Sequence, residues 1–186
     1  MRKIYLIAGH NLTKSGFGTG ANGFLNEAVE AIHLRDEISR EMERLGVTPI
    51  RDCNTDSLNS VISWLRSKVC KKDILVDIHF NASASASANG TEVVLPNYYN
   101  AEERIIAEKL LSTITDTMGT KSRGIKTEKD TAVGTIGILN KPDCNNILLE
   151  ICFITNQQDV SLYRQSSSFL AINIANILVQ LSTDLK

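Results

Sequence analysis

The chain predicts an α/β fold, a single-domain mixed β-sheet with helices on both faces. Short apolar runs rich in β-branched residues alternate with longer segments whose apolar residues recur at helical spacing. No break in composition and no internal repeat divides the 186 residues, a length that can bury one core without disulfide or metal staples. Residues 1–186 are therefore expected to form one domain, with no separate binding module.

Ile4–Ala8 opens the chain as a short β-rich run ending at Gly9, the pattern of a buried strand passing into a loop. From Asn11 to Asn26 the chain is rich in Gly, Ser, Thr and Asn, too irregular for an element and long for a connection, as functional or disordered loops are. Asn26 is placed to cap a helix with Glu27 and Glu30 near its start. Val29, Ile32, Ile38, Met42 and Leu45 recur at near-helical spacing along it until Gly46. Val47–Ile50 reads as a second strand, and Val61, Ile62, Leu65 and Val69 as the apolar stripe of a second helix carrying Trp64.

Ile74–Phe80 is apolar on both faces, which predicts a central strand. The Ala-Ser run within Asn81–Asn89 has no means of burying itself and reads as a mobile loop, either a lid or a loose surface connection. Gly90–Leu95 resumes β character, Glu102–Met118 is a third amphipathic helix, and Gly119–Gly137 is polar and irregular. Ile147–Ile151 is a further apolar strand and Phe169–Leu181 a closing helix.

Composition excludes several classes. With 20 basic and 21 acidic side chains the net charge is −1, so no bulk field draws the chain to nucleic acid or anionic lipid. Cys53, Cys70, Cys144 and Cys152 are too few and too irregularly spaced for a disulfide framework or a zinc knot and read as reduced. No run approaches the ~20 apolar residues of a membrane span. The N-terminal apolar run is too short for a signal peptide. Synthesis in the cytoplasm without a leader is the corresponding expectation.

His10, His79 and Glu150 interrupt or end apolar strands, and in open α/β sheets sites form outside the carboxyl ends of strands. Glu27, opening the helix after the Gly-rich loop, is placed to close the same rim. Two imidazoles and one carboxylate match the ligand set of a catalytic zinc site, and a further carboxylate would serve as base. No local HExxH signature anchors these residues, so each histidine can equally be read as a core imidazole with satisfied hydrogen bonds. Glu30 competes with Glu27, and His33 lies too far along its helix to join them. Asp77 shares a strand face with His79, where it could orient that ring or be a buried acid bonded to backbone or serine. Cys152, among apolar neighbours with no base beside it in sequence, reads as core.

Taken in order, Gly9-His10, Asn26-Glu27, Asp77-Ile78-His79-Phe80-Asn81-Ala82 and Leu148-Leu149-Glu150-Ile151-Cys152-Phe153-Ile154-Thr155-Asn156 resemble the zinc-dependent N-acetylmuramoyl-L-alanine amidases of the amidase-3 type. The resemblance spans nearly the whole chain, and its motifs are specific in combination. Gly9-His10-Asn11-Leu12-Thr13-Lys14-Ser15-Gly16 is similar to the phage endolysin branch. The sequence departs from the family at Asn11-Leu12, where Gly-Gly is common, at Asp77, where serine is common, and at Ile151-Cys152, where a glycine usually follows the glutamate motif.

The resemblance implies that His10, Glu27 and His79 hold Zn²⁺ and that Glu150 accepts a proton from the attacking water and delivers it to the leaving amine. It implies peptidoglycan as substrate, with cleavage of the lactyl amide bond between muramic acid and L-alanine and action at the bacterial wall after release. Asn81 and Arg123 are the implied substrate contacts; Arg123 could meet an anionic stem carboxylate or be a solvated loop charge. Tyr98-Tyr99 could stack on sugar rings or pack. The rival functions are a zinc carboxypeptidase or endopeptidase on the peptide stem, and a non-catalytic peptidoglycan-binding module.

Overall fold

A computed structural model describes residues 1–185. Its elements run β1 (Ile4–Ala8), α1 (Glu27–Arg44), β2 (Ile50–Arg51), α2 (Leu58–Arg66), β3 (Ile74–Asn81), β4 (Thr91–Leu95), α3 (Ala101–Met118), β5 (Ser122–Thr127), α4 (Gly137–Asn140), β6 (Asn145–Phe153) and α5 (Gln157–Asp184). The strands form one six-stranded sheet in the order β2-β1-β3-β6-β4-β5. β2, β1, β3 and β6 are mutually parallel, whereas β4 runs antiparallel to β6 and parallel to β5. The sheet is mixed, and helices cover both faces.

Strand alternation sends alternate side chains to two separate cores. Ile4, Leu6, Val76, Ile78, Ile147 and Leu149 pack with Leu34 and Ile38 of α1, Ile106 and Leu110 of α3, and Ile174 and Leu178 of α5. On the other face Tyr5, Ile7, Leu75 and Leu148 pack with Val61, Ile62 and Leu65 of α2 and Ile138 and Leu139 of α4. β1, β3 and β6 each have a neighbour on both sides, and their carboxyl ends, toward which His79, Asn81 and Glu150 lie, meet at one end of the sheet.

Helix ends follow their sequence signals. The Asn26 side chain accepts from Val29 N–H at the start of α1, and Asn100 and Glu103 form a reciprocal capping box on α3. α3 closes on Gly119 at φ 70°, a left-handed turn that favours glycine.

Several expectations need correction. The buried stripe of α1 is Ala28, Ala31, Leu34, Ile38 and Met42, whereas Val29 and Leu45 are each 47% exposed. β2 is Ile50–Arg51 rather than Val47–Ile50, and α2 ends at Arg66 before Val69. Residues 119–137 are not wholly irregular, because Ser122–Thr127 forms the edge strand β5 against β4. The short helix α4 was not anticipated. α5 begins at Gln157, twelve residues before Phe169, because Asn156 caps it by accepting from Gln158 and Asp159 N–H. The Ala-Ser segment is exposed but tethered: Ser83 N–H donates to Thr155 Oγ1, and Asn156 Nδ2 donates to the Ala86 carbonyl. Among the described residues no helix is long and apolar enough to cross a membrane.

Candidate metal centre

His10 follows β1 directly, where Gly9 N–H donates to the Ile78 carbonyl and holds the chain against β3. His79 lies near the end of β3, Glu150 opposes it on β6, and Glu92 opposes Glu150 on β4. One rung across three strands thus carries an imidazole and two carboxylates on one face. Glu27 arrives from α1, and its carboxylate accepts from Ala21 N–H at 2.9 Å and Phe80 N–H at 3.3 Å. The Gly-rich loop is thereby an ordered cover rather than a disordered connection.

Glu27 bridges both imidazoles, with Oε1 3.0 Å from His79 Nδ1 and Oε2 3.3 Å from His10 Nε2. The three potential ligand atoms lie within 4.8 Å of one another, and the two rings meet edge to face at 5.0 Å between centroids. Ligands about 2.0–2.1 Å from a tetrahedral zinc are separated by roughly 3.3 Å, so the His-Glu-His set fits such an ion. Two glycines make room for these side chains. A Cβ on Gly9 would lie 2.1 Å from His79 Nε2, and one on Gly20 would lie 2.7 Å from the His10 ring and 2.8 Å from Glu27 Oε2.

The cluster polarises its members. Burial alone would raise the Glu27 carboxyl, but the bonds from His10 and His79 hold it far below the usual carboxylate range. Burial opposes charge on His79, and Asp77 and Glu27 overcome it and raise that imidazole well above its ordinary value. Glu150 behaves oppositely. Burial pushes its carboxyl up to about 8, helped by Glu27, Glu92 and Asp77 and opposed by His79. Its Oε2 is sealed from solvent and has no hydrogen-bond partner among the described residues. A carboxyl poised near neutrality beside a polar cluster has the character of a proton-transfer group.

Asn81 and Arg123 meet through a residue the sequence did not single out. Glu92 accepts from Asn81 Nδ2 at 3.0 Å and from Arg123 Nε at 2.7 Å. Arg123 also lies over the Phe153 ring at 4.8 Å, so its guanidinium is a half-buried, fixed group on β5 and not a solvated loop charge. A charged residue inside the otherwise apolar run Thr91–Leu95 was the available signal for Glu92. The remaining candidates lie elsewhere. Glu30 is outside the ligand cluster, His33 faces Glu37 at 3.8 Å on α1, and Cys152 is buried. Tyr98 and Tyr99 are 99% and 38% exposed, so packing does not account for the first.

Known proteins share this architecture. The catalytic domain of the CD27L endolysin targeting Clostridia difficile superposes with a TM-score of 0.78 at 24% identity, covering 97% of this chain and 98% of that one. The N-acetylmuramoyl-L-alanine amidase from Clostridium difficile 630 gives 0.83 at 18% identity over 100% and 98% of the two chains. In sequence, the N-acetylmuramoyl-L-alanine amidase LytC of Bacillus subtilis (strain 168) is 26% identical over 165 residues, 88% of this chain. The chain spans about a third, 32%, of that relative's length. The family model described as N-acetylmuramoyl-L-alanine amidase matches residues 4–180, and with that match over nearly its whole length the chain belongs to the amidase-3 family.

Proposed function

We propose that this chain is a single catalytic module that hydrolyses the amide bond between the lactyl group of muramic acid and L-alanine in peptidoglycan, with His10, Glu27 and His79 holding Zn²⁺ and Glu150 carrying the proton. The observation that carries the proposal is the convergence of those three ligand atoms within 4.8 Å, beside a glutamate that opposes His79 in register. A bound zinc ion supplies a Lewis acid that polarises the scissile carbonyl and lowers the pKa of water toward ~7.

The chain's own groups supply the rest. Glu150 takes the proton of the attacking water and returns it to the alanine nitrogen as the C–N bond breaks, leaving a lactyl carboxylate and a free amine. Its position on a strand keeps it fixed relative to His79. The exposed side of His10, one third accessible, leaves the cluster open to substrate. Arg123, oriented by Glu92 and Phe153, presents its outer guanidinium edge to an anionic stem carboxylate, and Asn81 joins it on the same rim.

Mass spectrometry of digested, purified peptidoglycan tests the proposal. Intact stem peptides with a new L-alanine amino terminus, together with peptide-free glycan, are expected. Stems clipped at an internal bond would make the chain a carboxypeptidase or endopeptidase, and wall binding without products would make it a binding module.

A further inference from the structure

We infer that Asp77 is a positioning residue of the metal centre: its carboxylate accepts the Nε2–H of His79 and keeps Nδ1 as the ring nitrogen presented beside Glu27. This rests on the reading of His10, Glu27 and His79 as a zinc site. Residues 77 and 79 lie on one face of β3, and Asp77 Oδ2 is 3.1 Å from His79 Nε2. The other ring nitrogen, Nδ1, points at Glu27 Oε1 at 3.0 Å. The imidazole is thus held between two carboxylates, and only the Nδ1 side belongs to the ligand cluster.

Asp77 differs from the other buried acids of the protein. Asp159 accepts from the backbone N–H of Gly90 and Phe153, and Glu128 from those of Asn97 and Ile136, so both staple segments of chain together. Asp77 is 1% exposed, and among the described residues His79 is its one hydrogen-bond partner, while Oδ1 has none. Among the described residues no backbone N–H, serine or guanidinium is bonded to it. A carboxylate so placed holds no segment of backbone, and its one bond is to the His79 ring. What it does serve is His79, as the carboxylate partners of metal-binding histidines serve their rings. Gly9 completes the restraint: its α-carbon lies so close to the ring that a Cβ would stand 2.1 Å from Nε2.

The test compares the wild type with Asp77→Asn and Asp77→Ala, using the zinc dissociation constant from competition with a chromophoric chelator and the His79 tautomer from long-range ¹H–¹⁵N spectra of the zinc-loaded protein. Wild type is expected to bind zinc with His79 in the Nε2–H form. Asp77→Ala is expected to weaken zinc on the order of 10–100-fold, and the isosteric Asp77→Asn several-fold, its amide oxygen still able to accept. The metal-free Asp77→Ala protein is expected to lose stability, because the His79 imidazole loses one of its two carboxylate partners. Zinc affinity is therefore read below the unfolding temperature of each variant, and recovery of most of it in Asp77→Asn separates positioning of the ring from a general loss of structure. Wild-type zinc affinity and tautomer in both variants would overturn the inference and leave the zinc site standing. A wild type that takes up no zinc would remove the zinc site, and this inference with it.

Discussion

His79 and Glu150 are register partners on the adjacent parallel strands β3 and β6. The residue proposed to bind the cation and the residue proposed to move the proton are therefore spaced by the hydrogen-bond ladder of the sheet, not by a loop. Glu92 extends the same rung onto β4, where it binds the side chains of Asn81 and Arg123. The residues proposed as ligand, base and substrate contacts thus share one rigid frame, with the Gly-rich loop closing over its end through the bond from Ala21 to Glu27.

Replacement of Glu150 by glutamine separates metal binding from proton transfer. The side chain lies outside the His10-Glu27-His79 cluster, so zinc content is expected to be unchanged. Loss of general base and acid should lower wall lysis by about 10²–10⁴-fold. Elemental analysis and turbidity loss on the same preparation check both halves, and near-native lysis would remove Glu150 from the mechanism.

Gly9→Ala addresses the close approach of β1 to His79. The added methyl would fall 2.1 Å from Nε2, so either the ring or the strand must move. Overpacking of this kind costs about 1–3 kcal/mol. The displacement is expected to reduce the zinc bound per chain, which elemental analysis and urea unfolding would report together. A variant with full zinc and unchanged stability would show that the ring has more room than the structure gives it.

Glu92→Gln tests the coupling of Asn81 and Arg123. An amide cannot give the guanidinium the charge-assisted bond that the carboxylate gives at 2.7 Å. Arg123 should then lose its fixed orientation, with about a ten-fold rise in KM for a soluble muropeptide, equivalent to ~1.4 kcal/mol of binding. Zinc content should not change. A lower kcat at constant KM would assign Glu92 to Glu150 instead.

Acid sensitivity has a separate source at the other end of the sheet. Arg2 binds Glu102 through two bonds, Nη1 to Oε2 at 2.6 Å and Nη2 to Oε1 at 2.9 Å. The Arg2 bonds hold the Glu102 carboxyl below its ordinary 4.5, so the folded state binds fewer protons there than the unfolded one. The stabilisation is present above pH 4.5 and is lost as pH falls through the lowered value. Glu102→Gln should cost about 1 kcal/mol at pH 7, given the exposure of the pair. That difference should shrink steadily below pH 4.5 in urea unfolding. A difference independent of pH would mean that packing and not charge holds Arg2.

Much of this frame was legible in the sequence because its strands are buried on both faces. Ile4–Ala8, Ile74–Phe80 and Ile147–Ile151 are apolar runs, and a histidine or glutamate at or near their ends stands out against them. β5 was not legible because Ser122–Thr127 is a half-buried edge strand bonded on one side, with Arg123 and Lys126 interrupting any alternation. The first turns of α5 were hidden for a related reason: Gln157, Gln158 and Ser161 face solvent, and only the Asn156 cap marks the start. α1 misled through Val29 and Leu45, apolar residues exposed at its ends, while small Ala28 and Ala31 are fully buried. For Glu92 the sequence offers only a charge beside apolar residues of a strand, and it is the register that places it opposite Glu150.

Metal content measured before and after chelation, with wall turbidity followed on the same samples, bears most directly on the proposed zinc amidase function. About one zinc per chain is expected, with lysis lost on chelation and restored by added zinc. A chain that neither carries nor takes up zinc, and that lyses walls equally well with chelator present, would contradict the assignment of His10, Glu27 and His79.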